Sequence, residues 1–136
     1  MIRSIRVQAV AALLALTVTA CGGADLTPPT SPTPAPQTEI FSGQINQHGA
    51  ATYPFTALAG GTVTVTLKSV SPEVVIGLSL GTWNGLACQI VIANDAAVQT
   101  TVVAGTVATV GNLCVRVYDV GKVTEPTAYE IQVVHP

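Results

Sequence analysis

From Thr62 to Lys68 the chain alternates without a break: Val63, Val65 and Leu67 fall on one side, Thr62, Thr64, Thr66 and Lys68 on the other. A period of two marks a half-buried β-strand, because successive side chains of an extended backbone leave on opposite faces. The pattern recurs. Residues 40–45 and 53–57 read as strands, the second carrying Pro54, which has no amide to donate and so belongs at a sheet edge or bulge. Residues 74–80 set Val74, Ile76, Leu78 and Leu80 on one side, and residues 86–93 do the same with Leu86, Cys88, Ile90 and Ile92. Residues 98–103, 113–119 and 128–134 follow, the last with Tyr129, Ile131 and Val133 inward and Glu130 and Gln132 outward.

Turn signals separate these runs: Gly60-Gly61, Asn94-Asp95, Gly111-Asn112, Gly121, and above all Asn84-Gly85 within Thr82-Trp83-Asn84-Gly85, the strongest short hairpin signal. No stretch beyond Gln37 holds a helical period over ten residues. The fold class that follows is all-β: a single antiparallel β-sandwich of about eight strands, Greek-key or jelly-roll-like, spanning residues 38–136. That length serves one core and leaves no room for a further catalytic domain.

The first thirty-seven residues follow other rules. Arg3 and Arg6 precede residues 7–18, which are almost wholly apolar. The run is about twelve residues long where a membrane span needs roughly twenty, so it fits the apolar region of an export signal, a helix removed after use. The run ends in Val18-Thr19-Ala20-Cys21. This resembles the lipobox of bacterial lipoproteins: a branched apolar residue, two small residues, then a Cys whose thiol takes a diacylglyceryl group. The resemblance implies cleavage before Cys21, acyl chains on Cys21 and a stable membrane anchor. It also implies a cell-envelope location, with Gly22 favouring the outer membrane. Residues 22–37 then carry Pro28, Pro29, Pro32, Pro34 and Pro36 among small polar residues. They have no apolar period to bury and read as a disordered stalk biased to polyproline II, reaching roughly 40–50 Å. The expected organisation is residues 1–20 signal peptide, 21–37 lipidated Cys and proline-rich linker, and 38–136 sandwich.

Charged residues make up only 9% of the chain. Past Cys21 three cations, Lys68, Arg116 and Lys122, stand against seven acids, a net charge of −4. No basic patch is available to neutralise phosphates, which argues against nucleic acid as a partner and against binding anionic lipid by charge.

Candidate chemistry is sparse. Cys88 and Cys114 each fall inside an expected strand, and a compartment beyond the inner membrane is oxidising, so a disulfide between them is predicted; two buried free thiols are the alternative if the strands are not adjacent. There is no C-x-x-C, no clustered set of metal ligands, no G-x-S-x-G, no phosphate loop and no dinucleotide fingerprint, so no metal, cofactor or catalytic residue is expected. His48, in an expected hairpin loop, and His135 read as surface residues. Asp119 and Glu125 flank a loop and read as solvated turn residues, a shared cation being the alternative. Trp83, with Asn84 beside it, is the one candidate for ligand binding: a Trp in a polar turn can stack on a sugar ring or anchor a protein partner, or fold back to cap the sandwich.

The order of elements in residues 38–136 resembles the bacterial pre-peptidase C-terminal domain. The matching residues are Phe41-Ser42-Gly43-Gln44-Ile45, Ala51-Thr52-Tyr53-Pro54-Phe55-Thr56-Ala57, the run from Gly60 to Leu67, Cys114-Val115-Arg116-Val117-Tyr118-Asp119, and Tyr129-Glu130-Ile131-Gln132-Val133. The resemblance implies a small β-sandwich acting as a non-catalytic accessory or adhesion module. No peptidase precedes it here. Ser71-Pro72-Glu73 also stands where the family often carries an acidic pair, so calcium binding does not carry over. The function expected is a membrane-anchored, non-catalytic envelope lipoprotein displaying a binding module. The alternatives are a carbohydrate-binding module using Trp83 and an assembly lipoprotein docking a partner on its sheet edge.

Overall fold

The computed structural model describes residue 28 and residues 30–136. The export segment and Cys21 lie outside the described residues. Residues 30–36 form no regular element and are exposed.

Eight strands follow: β1 (Gln37–Ile45), β2 (Ala50–Ala57), β3 (Gly61–Ser71), β4 (Ile76–Trp83), β5 (Cys88–Ala97), β6 (Val102–Val107), β7 (Gly111–Tyr118) and β8 (Thr127–His135). They make two four-stranded antiparallel sheets, β1-β8-β3-β6 and β2-β7-β4-β5. This order is that of a jelly roll. Of the sequential connections only β4–β5 joins neighbours in one sheet; every other one crosses between the sheets. Asn46–Gly49 is therefore a corner rather than the hairpin loop expected, closed by the Gly49 amide donating to the Asn46 carbonyl at 2.8 Å.

In β3, β4, β7 and β8 the alternation places the core as the sequence implies; the 86–93 run departs from it, since Leu86, Ile90 and Ile92, expected on one side with Cys88, are exposed where the chain turns into the edge strand β5. Val63, Val65 and Leu67 of β3 and Ile131 and Val133 of β8 are fully buried from one sheet; Ile76 and Leu78 of β4 and Val115 and Val117 of β7 meet them from the other. Pro54 sits on β2, an edge strand, where its missing amide leaves no ladder bond unmade.

Strand β4 is buried on both faces, because its outward positions are small. The ring of Tyr118 lies where a Cβ at Gly77 would be, and the Gln89 carbonyl lies where a Cβ at Gly81 would be. The second contact means that β5 coils across the outer face of β4 at its start. There Cys88 of β5 reaches past β4 to Cys114 of β7, with Cα atoms 5.7 Å apart, and the predicted disulfide is formed.

Further expectations fail locally. Asn94-Asp95 is no turn: it lies within β5, where the pairing with β4 slips between Ile76 and Leu78. The Asn94 side chain accepts from the Ala96 amide at 2.9 Å, so its turn-forming chemistry goes into a bulge. The chain reverses instead around Val98–Thr101, with Thr100 at φ 73° and the Val98 amide donating to Thr101 Oγ1. His135 also departs from expectation: it is buried rather than on the surface.

Candidate functional site

One end of the sandwich gathers the start of β1, the ends of β2 and β4, and the start of β7. Strand alternation points Pro54, Thr56, Asn112 and Trp83 to the outer face there. With Asn84, Gly85 and the buried Phe55 they line an open cleft of about 490 Å³. Thr56 and Asn112 are register partners, and Thr56 Oγ1 donates to Asn112 Oδ1 at 3.0 Å.

The β4–β5 turn supplies the rest. Gly85 takes φ +95°, a left-handed conformation that glycine adopts without strain. Asn84 Oδ1 accepts from the Leu86 and Ala87 amides at 2.9 and 2.8 Å, which locks the turn. Trp83, at the end of β4, is half-buried and stands in register with Cys88, which the disulfide ties to Cys114 of β7 on the other side of β4. Among the described residues no charged side chain lines the cleft. Trp83, expected in the turn, is instead the last residue of β4, with Asn84 opening the turn beside it, and the structure adds Pro54, Thr56 and Asn112. Those three had no local signal, because they come from strands distant in sequence.

Beneath this end His135 packs its ring 5.0 Å from that of Phe55 and bonds Glu39 through Nε2 at 2.9 Å. It is a buried structural group, and the alternation Tyr129, Ile131, Val133 carried two residues further puts it there.

At the other end Asp119 is committed to backbone rather than solvent. Its Oδ1 accepts from the Gly121, Lys122 and Val123 amides, and its Oδ2 from the His48 amide at 2.8 Å. Led by the Val123 and His48 bonds, these lower its pKa to about 2. The carboxylate joins the β7–β8 loop to the β1–β2 corner. Among the described residues no group of three or more His, Cys, Asp or Glu stands together to hold a metal. Nearby, Tyr118 donates to Asp95; burial first, then that bond, pushes its phenol up to about 12. The Arg116 guanidinium lies 5.9 Å from the Tyr118 ring centroid.

The strand order and the buried faces define the class as an eight-stranded jelly-roll sandwich. No protein-family model matches the chain, and no curated protein matches it in sequence. Among solved structures it is similar to the crystal structure of the Yersinia pseudotuberculosis-derived mitogen YPM, with a TM-score of 0.55 over 75% of this chain and 88% of that one. The two are 13% identical, so the likeness shows the fold alone.

Proposed function

We propose that this chain is a lipid-anchored, non-catalytic lipoprotein of the bacterial cell envelope, carrying its jelly roll as a binding module whose ligand site is the Trp83 cleft. The observation behind the binding reading is the cleft itself. An aromatic ring and polar side chains converge there from three strands of one sheet, beside the disulfide that links β5 to β7. Rigid elements hold a site more finely than loops do. The anchor is supported by the sequence alone: Val18-Thr19-Ala20-Cys21 after an apolar run, then a proline-rich stalk. The accessory role draws on the resemblance to the pre-peptidase C-terminal domain.

Intact mass of detergent-extracted protein from its native host tests the anchor. The expected species begins at Cys21 and carries acyl chains. A species beginning at Cys21 or later without lipid overturns the anchored reading and makes the domain a secreted one.

One observation favours a second reading, an assembly lipoprotein that docks a partner strand. β5 is an edge strand with Ile90, Val91 and Ile92 exposed. Its free backbone groups suit strand addition.

A further inference from the structure

We infer that the Trp83 cleft takes a neutral carbohydrate, with one pyranose ring stacked on the Trp83 indole and its oxygens accepting from the side-chain amides of Asn84 and Asn112. This rests on the reading of the cleft as the ligand site. The argument turns on which hydrogen-bonding groups the fold has already used. The Asn84 oxygen is taken by two backbone amides, and the Asn112 oxygen by the Thr56 hydroxyl. Each bond fixes the orientation of its amide. What remains at both positions is the NH2 end, so the residues lining the cleft supply an aromatic ring and two amides left to act as donors.

That combination selects among ligands. A purely apolar ligand would cover both donors and leave them unpaired, which disfavours it. An anionic ligand would meet no cation, since among the described residues no charged side chain lines the cleft. A polyproline segment also combines flat rings with carbonyl acceptors, and this chain carries one. Pro32, Pro34 and Pro36 join the sandwich at the same end as the cleft, yet all three are exposed. None of the three lines the cleft. A sugar ring meets every condition: apolar C–H bonds on its face, oxygens that accept at its rim, and no charge.

The test is calorimetric titration of the mature lipoprotein in detergent with chitotetraose, cellotetraose, maltotetraose and xylotetraose, alongside a hexaproline peptide. Binding of at least one neutral tetrasaccharide is expected. Trp83→Ala should weaken it about tenfold or more. Trp83→Tyr, which keeps a platform and guards against a misfolded turn, should stay within roughly threefold of the parent and bind better than Trp83→Ala. Thr56→Val, which frees the Asn112 amide to rotate, should weaken binding by about threefold to tenfold. The inference is overturned if none of the four sugars binds at millimolar concentration, if binding survives Trp83→Ala, or if hexaproline binds while the sugars do not. These outcomes leave the intact-mass result untouched. A lipidated Cys21 without sugar binding ends this inference alone, and sugar binding without lipid ends the anchored reading alone.

Discussion

The hydroxyls of Tyr53 and Tyr129 meet at 2.7 Å, one reaching out of each sheet. Gly43 makes the meeting possible: a Cβ there would lie 2.6 and 2.7 Å from the two oxygens. Phe41 stacks on Tyr53 at 4.8 Å between ring centroids and closes the group on its open side. The β1 and β2 edges are thus joined by side chains where no backbone ladder connects them. Tyr53→Phe leaves the buried Tyr129 hydroxyl without its partner and should cost about 1–2 kcal/mol in chemical denaturation. The Tyr53→Phe, Tyr129→Phe double variant should lose less than the sum of the two singles. Strict additivity would show that the contact contributes nothing.

Stability should fall at both ends of the pH scale, through different groups. Burial and the bond with Tyr53 hold the Tyr129 phenol well above the usual range, and Tyr118 is raised to about 12 from the ordinary 10. Both bind their protons more tightly folded than unfolded. Their contribution is therefore whole below about pH 10 and is lost as pH climbs toward 12. Asp119 behaves in reverse: its contribution is whole above about pH 4 and is lost as pH falls toward 2. Asp119→Asn should lower Tm at neutral pH and flatten the acid limb. An unchanged acid limb would remove Asp119 from the account.

Opening the disulfide should be expensive for so small a domain. Cys88 and Cys114 are 26 residues apart in sequence, and a loop of that size corresponds to about 3–4 kcal/mol in the chain-entropy picture. Cys88→Ser with Cys114→Ser should lower the unfolding free energy by about that amount. Gly81→Ala should act on the same element from beneath, because its methyl group would collide with the Gln89 carbonyl, backbone that has nowhere simple to move. If Gly81→Ala unfolds like the parent, the crossing of β5 over β4 is not as close as described.

The middle of the β5 edge is apolar and open. Ile90, Val91 and Ile92 are exposed, and neither Lys nor Pro interrupts β5. Such an edge invites pairing with another chain. Val91→Lys should reduce concentration-dependent self-association in light scattering, while changing stability by less than about 0.5 kcal/mol. Equal association in both proteins would place the contact elsewhere.

Most of the architecture was legible because strand alternation is a local property. The buried sides of β3, β4 and β8 can be read directly from Val63-Val65-Leu67, Ile76-Leu78-Leu80 and Tyr129-Ile131-Val133. The boundary between β5 and β6 was not, because Asn94 spends its hydrogen bond inside a strand while the true reversal at Thr100 carries neither Gly nor Asn. His135 was missed although it continues the inward alternation of β8, since a single polar residue after an apolar run carries little weight by itself. At the cleft, Trp83 and Asn84 stood out as neighbours in a turn. Their partners Pro54, Thr56 and Asn112 become neighbours only once β2, β7 and β4 lie side by side.

The placing of Trp83 opposite Cys88 has an optical consequence. The chain has a single tryptophan, so all of its indole emission comes from this position. A disulfide close to an excited indole accepts its electron and darkens it. The oxidised protein should therefore fluoresce weakly and brighten when the Cys88–Cys114 bond is reduced, whereas a molecule settling on the ring should alter the colour of the emission and leave that bond intact. Brightness and colour then report two separate events from one side chain, without an added dye.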